Sequence, residues 1–292
     1  AYKIRDILTI CYPQFYNTGG MNGYNGFNAQ VGNADFLTSL ATLLLENGLR
    51  ADQVALGLPS TPKAASSGYV STDVISTAVT SLVNGTSSGS FTAPRAYQSF
   101  RGVMTWSINW DSSQNKNSFA QSNGRFLDSL SGEETTKTPE VTTKAQEVTT
   151  SKEEETTQDN NYTVNKSLPE HIVTGYWHNF LNGSTALKLS DVPLYYDMIC
   201  VAFANSSTTA GKVTFELDKD LSTALGGYTK AQFIQDIKDA KAKGQHVIIS
   251  VGGAEGTTYI TNQAAADEFA KSLISMIEEY GFEGVDIDFE GS

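Results

Sequence analysis

Two cysteines in 292 residues are too few for a disulfide scaffold. Cys11 and Cys200 both lie in apolar, strand-like runs and read as small buried hydrophobes, not as a redox pair or metal ligands. Histidine is nearly as scarce. His171, His178 and His246 are scattered without ligand spacing, so they read as structural residues, and neither a metal nor a cofactor is expected. Basic residues are outnumbered, 20 Lys and Arg against 32 Asp and Glu, for a formal charge of −12. Nucleic acid and anionic membrane surfaces are therefore poor partners. No run of about eighteen apolar residues occurs, so no hydrophobic membrane span is expected. No charged-then-apolar leader precedes Ala1, and the chain stops at Ser292 directly after a strand-like run, so both ends read as cut points.

What the sequence does contain is an alternation of strand-like and helix-like patterns, the mark of βα units on a parallel sheet. Residues 7–17 read as a strand running into a Gly/Asn-rich loop, with Gln14 and Tyr16 on one face and Pro13 awkward for a ladder. A helix is expected over 35–47, closed by Gly48, then a buried strand from Val54 to Pro59 and a helix near 72–83. Gly102 to Trp110 reads as one continuous strand, followed by an amphipathic tail ending near Leu130. Further strands are expected at 171–177, 196–204 and 246–250, and helices at 229–243, with Thr229 as its cap, and 264–280.

Residues 131–168 differ in character. Between Ser131 and Asn160 stand nine Thr, eight acids and three Lys, with almost nothing apolar. Such a stretch buries too little surface to offset the entropy of ordering it. It reads as a solvated linker between residues 1–130 and 169–292, and Asn161 and Asn165 open glycosylation sequons within it.

The most telling stretch is Gly284-Val285-Asp286-Ile287-Asp288-Phe289-Glu290. At period two the three acids share one face and the three apolar residues the other. Same-face neighbours on a strand sit roughly 6.5–7 Å apart, so the carboxylates form a short row. A half-exposed strand with a solvated acidic face is the plain reading. Against it, stacked like charges repel and β propensity disfavours Asp and Glu. A row of this kind serves chemistry when neighbouring groups force the pKa values apart.

That stretch resembles the D-G-x-D-x-D-x-E signature on the fourth strand of glycoside hydrolase family 18, the chitinases, with Glu283 in the first Asp position. Ser250-Val251-Gly252-Gly253 resembles the family's S-x-G-G, and Gln14-Phe15-Tyr16-Asn17 its tyrosine motif on the sixth strand. Val54–Pro59 and Gly102–Asp111 resemble strands seven and eight, the latter with the barrel-floor tryptophan, Trp106. His171–Trp177 and Tyr196–Ala204 resemble strands one and two. Taken alone, Tyr16 and Trp106 read as ordinary core aromatics. The resemblance implies an α/β fold of (β/α)8 TIM-barrel segments, as two partial barrels: strands six to eight, then one to four, with strand five absent. A piece of a tandem-module protein cut inside each module fits this order best, and a permuted barrel is the alternative. Any pairing of the two runs is expected to be marginal, with ANS binding and no cooperative melt.

The resemblance further implies hydrolysis of chitin or N-acetylglucosamine oligosaccharides, outside the cell and without cofactor or metal. Glu290 would be the general acid, its pKa raised by the Asp288 charge and partial burial. Asp288 would hold the substrate acetamido group and share a proton with Asp286. Tyr16 would bind the same group from the opposite side, with Gln14 and Asn17 nearby. Trp106 would be the sugar floor, Tyr176 would line the wall, and Gly252 and Gly253 would border the substrate. Under the tandem reading Tyr16 and Glu290 mark two half-sites that never meet. Endo-β-N-acetylglucosaminidase action on N-glycans, a chitin-binding lectin and an inactive fragment are the alternatives, and the oligomeric state is left open.

Overall fold

The computed structural model describes residues 3–131 and 168–290. The Thr/Glu-rich stretch and both sequons therefore fall outside the described residues. In chain order, a small antiparallel hairpin, β1 (Met21–Asn22) with β2 (Asn28–Ala29), precedes α1 (Ala34–Glu46) and β3 (Ala55–Pro59). Next come α2 (Thr72–Asn84), β4 (Gly102–Trp106), α3 (Ile108–Asn115) and α4 (Ser118–Leu130). The second run holds β5 (Ile172–His178), β6 (Met198–Ser206), β7 (Val213–Thr214), α5 (Lys219–Ala224) and α6 (Lys230–Ala242). It ends with β8 (His246–Gly252), α7 (Gln263–Tyr280) and β9 (Val285–Asp288).

Local chemistry sets these limits. The Asn33 side chain accepts from Phe36 N and caps α1, while Thr229 and Gln232 form a reciprocal capping box on α6. Asn262 caps α7, which ends at Gly281 in the left-handed conformation that favours glycine. One expected element changes. The strand beginning at Gly102 stops at Trp106, because the Ser107 side chain accepts from Trp110 N and turns Ile108–Asn115 into a helix. Residues 7–17 are likewise not a regular strand. Only Cys11 and Gln14 form parallel bridges, to Val54 and Gly57, and the Pro13 carbonyl accepts from Gly57 N.

All six principal strands are parallel, in the order β3-β4-β5-β6-β8-β9, and the bridged run of residues 11–14 extends this sheet beside β3. The sheet curls into part of a (β/α)8 barrel with helices on its outer face. The two runs of the chain join where β4 pairs with β5, Gly102 against Ile172 through Thr105 against Gly175. Gly102 is needed there, since a Cβ would stand 2.3 Å from the Ile172 carbonyl oxygen. Polar contacts tie the seam further. Tyr196 donates to buried Asp111 at 2.8 Å, and Arg101 Nη1 donates to Pro169 O at 2.7 Å.

Alternation on β5 divides two layers. Trp177 faces the helices, with its ring on Phe233 and its indole N–H to Leu187 O, whereas Tyr176 faces the inside of the curl with Met104, Cys200 and Ala202. Cys200 is buried as expected, but Cys11 is only half-buried. The outer layer is one continuous core that takes residues from both runs, from Phe36 to Phe282. The sheet edge at β9 is uncovered, with Ile287 50% and Phe289 47% exposed. These two facts separate the expectations for the isolated chain. ANS should bind at the open edge, yet the shared core should melt in one cooperative step. Two calorimetric transitions, one for each run, would show that the core is not shared.

Candidate active site

The acid row lies at the C-terminal end of the sheet, where parallel βα folds place their functional groups. Asp286 and Asp288 are on β9, and Glu290 lies two residues beyond its end. Asp286 Oδ2 accepts two hydrogen bonds, from Ser250 Oγ at 2.6 Å and Tyr176 OH at 2.8 Å. Register explains the first: Ser250 is the parallel partner of Asp286. The second crosses the inside of the curl from β5. Burial raises the Asp286 pKa, and these two donors oppose that rise.

Among the described residues, no side chain donates to the Asp288 carboxyl. Burial first, then the charges of Asp286 and Glu290, push its pKa up to about 7. The middle carboxyl is thus strongly raised, whereas Glu290, expected to be partly buried, is exposed. Near neutrality Asp288 is close to half-protonated, the condition under which a proton passes readily between adjacent carboxyls.

A stability effect follows. The folded chain keeps a proton on Asp288 that the unfolded chain releases at its ordinary value of 3.8. Stability from this group is therefore fully present below that value and is lost as pH rises toward about 7. Asp288→Asn should remove this decline, so that the variant gains on the parent as pH is raised through that window. Parallel urea-midpoint-versus-pH curves for the two proteins would contradict the assignment.

Tyr16 is buried at 8% exposure. Its phenol pKa is raised by burial and then by the charges of Asp288 and Glu290. The tyrosine near the start of the chain and the acids at its end therefore share one site, and the two half-sites expected to remain apart are brought together. Gln14 is exposed beside them, its Nε2 donating to Tyr16 O at 3.3 Å. Asn17 joins two loops. At φ 54°, its Oδ1 accepts from Ser66 N at 2.8 Å and Ser66 Oγ at 2.9 Å, pinning that loop to another.

Trp106, half-buried at the end of β4, meets a group of rings. Its ring centroid is 4.7 Å from His178, 5.6 Å from Tyr176 and 5.9 Å from Phe203, the last nearly parallel at 16°. Phe180 completes the group at 6.4 Å. Gly252 and Gly253 serve this end of the sheet by having no side chain. A Cβ on Gly252 would fall 2.0 Å from the Asp288 carbonyl oxygen, and one on Gly253 would fall 2.7 Å from the Phe203 ring. Gly253 N also donates to Asp288 O at 2.7 Å. Gly252→Ala, at φ 121°, should displace the end of β9 and cost about 1–3 kcal/mol. A urea midpoint equal to that of the parent would count against the close approach.

Of the ten residues singled out from sequence, the structure draws Tyr16, Tyr176, Asp286, Asp288 and Glu290 into one hydrogen-bonded and electrostatic group. Trp106 adjoins it through Tyr176, and the two glycines support its backbone. Ser250 and Phe203 were not singled out. The S-x-G-G spacing was the available signal for Ser250, whereas Phe203 sits in an apolar strand run that carries none. Among the described residues, no group of three His, Cys, Asp or Glu side chains can hold a metal ion. Nor is any helix among them long and apolar enough to cross a membrane.

Residues 172–292 match Glycosyl hydrolases family 18. Chitinase D of Niallia circulans is 38% identical over 149 residues, covering 46% of this chain and 28% of that protein. Exochitinase 1 of Streptomyces olivaceoviridis is 42% identical over 127 residues, covering 42% of this chain and 21% of the relative. Chitinase Chi52 of Paenibacillus xylanexedens is 43% identical over 119 residues, covering 40% and 21% respectively. The chain thus spans less than a third of each of these relatives. Residues 172–292, which hold the acid row and its Ser250 and Tyr176 donors on the curled parallel sheet, are thus similar to the glycosyl hydrolases of family 18 over that span.

Proposed function

We propose that this site hydrolyses β-1,4-linked N-acetylglucosamine polymers, as a chitinase, with retention of configuration and through the substrate's own acetamido group. The observation that carries the reading is the row Asp286-Asp288-Glu290 with Tyr16 facing Asp288 and Glu290 and the Trp106 rings at the same end of the sheet. Glu290, exposed at the end of the row, protonates the glycosidic oxygen as the bond to the anomeric carbon breaks. No second carboxylate is needed as nucleophile. The acetamido oxygen attacks the anomeric carbon, forming a cyclic oxazolinium ion, the substrate-assisted exception to the two-carboxylate scheme.

Asp288 accepts the acetamido N–H and carries the negative charge that balances the cation. Its proton passes to Asp286, whose donors Ser250 and Tyr176 adjust to either state. Tyr16 donates to the acetamido group from the far side, and its raised pKa keeps the phenol protonated for that role. The apolar face of the sugar rests on Trp106. Water, deprotonated by Glu290, then opens the ring from the face the leaving group left, giving the retained anomer. A polymer too large to enter a cell places this work outside it.

Proton NMR of chitotetraose hydrolysis by the full chain tests the mechanism. The β-anomer should appear first and mutarotate to α; α appearing first requires inversion and sinks the scheme. A chromogenic chitotriose compared with an N-glycan substrate tests the polymer preference, with faster release from chitotriose expected.

A further inference from the structure

We infer that His178 is a positioning residue, holding the Trp106 indole at a fixed tilt by clamping it to the loop that follows β5. The inference rests on the reading of Trp106 as the sugar platform. His178 ends β5 on the inner face, fully buried, with its ring against both Trp106 at 4.7 Å and Phe180 at 4.6 Å. Its hydrogen bonds reach the loop by two routes. Ser184 gives its single hydroxyl proton to Asn182 Oδ1 at 2.6 Å, so at 3.3 Å its oxygen receives the proton of His178 Nδ1. On the main chain, His178 N donates to Asn109 Oδ1 at 2.8 Å, and Asn109 Nδ2 donates to Thr185 O at 2.9 Å. Asn109 stands in the first turn of α3, three residues beyond Trp106. The tryptophan, the imidazole and the loop are thus braced as one unit.

Filling space alone does not account for a histidine here. With Nδ1 carrying the proton, Nε2 presents a lone pair that finds no partner among the described residues, a cost that a phenylalanine of similar shape would not incur. Burial keeps the ring neutral, its pKa driven down to about 3, so no ion pair compensates. The interaction gained in exchange is the Nδ1 contact with the loop, at Ser184 and with Asn182 beside it. It orients a ring whose face then sets the indole.

A double-mutant cycle on the full chain tests this, using chitobiose affinity by calorimetry and the near-UV circular dichroism of Trp106. The Trp106 band is first identified by the difference between the parent and Trp106→Phe. His178→Phe keeps a ring but loses the bond, and Ser184→Ala removes only the loop side. Each should weaken chitobiose by roughly 3- to 10-fold and alter the Trp106 band, and the double variant should be no worse than the weaker single. Additive losses, or an unchanged band in both variants, overturn the positioning role. Should His178→Phe fail to fold, Ser184→Ala alone decides, and an unchanged band and affinity there overturns it. Trp106→Ala tests the underlying platform reading separately. If chitobiose affinity survives that change, the platform fails, while the band still reports whether His178 sets the indole.

Discussion

Replacement of Glu290 by Gln is expected to lower release from a chromogenic chitotriose by about 100- to 10,000-fold while oligosaccharide binding persists, the span that a positioned general acid supplies. Gln preserves shape and hydrogen bonding but cannot give up a proton to the glycosidic oxygen. It also removes one of the two charges that raise the Asp288 pKa. The variant should therefore show a second signature, an Asp288 titration displaced toward lower pH, because one source of repulsion is gone. The two readouts are independent, one kinetic and one a shift in the pH dependence of stability. Undiminished turnover would remove Glu290 from the acid role. A fall in turnover without the Asp288 displacement would mean that Glu290 is too far from the row to repel it.

Trp177→Ala should cost about 3–5 kcal/mol, the largest stability effect expected of a single change in this chain. The side chain is fully buried, its ring lies 5.4 Å from that of Phe233, and its indole N–H reaches Leu187 O at 3.2 Å. Alanine leaves a cavity and removes the donor to the partly buried Leu187 carbonyl, and each carries its own penalty. Position multiplies the consequence. β5 stands between β4 and β6, so it is the strand on which the first run of the chain is attached to the second. A loss of this size is a large share of the 5–15 kcal/mol typical of a folded domain. The urea midpoint should fall for both runs at once. A change below about 1 kcal/mol would show that the outer core tolerates the cavity, and that packing there is looser than the contacts imply.

Local patterns were legible wherever a few adjacent residues decide the outcome. The helix over Lys230–Ala242 follows from the Thr229 cap and the spacing of Phe233, Ile237 and Ala240, and the structure reproduces it nearly residue for residue. The strand expected to continue through Trp110 failed for an equally local reason that hydropathy conceals. One hydroxyl, on Ser107, captures Trp110 N and begins a helix inside an apolar run. Gly252 and Gly253 were noticed as part of a motif and expected to border substrate. Their reason in the fold is backbone proximity, since each lacks the room for a Cβ.

The row by itself did not single out Asp288 as a carboxyl raised by burial. Sequence spacing shows that three acids share a face, but not which of them is enclosed. That depends on groups from elsewhere: Ser250 and Tyr176 donate to Asp286, and among the described residues none donates to the Asp288 carboxyl. The separation of Tyr16 from the acids was likewise an inference from chain order, and order alone does not determine which strand edges approach each other.

By itself, the sequence determined that Asp286 and Asp288 point the same way, because the two-residue period of a strand is written into backbone geometry and needs no partner. It also determined the βα alternation, because caps and apolar spacing act within a turn or two. Only the tertiary structure decided that Tyr16 faces those acids, that Tyr176 crosses the curl to hold Asp286, and that Asp288 carries the perturbed proton. Those outcomes depend on strand order, register and burial, which emerge when the two runs share one core and are encoded in no single stretch of the chain.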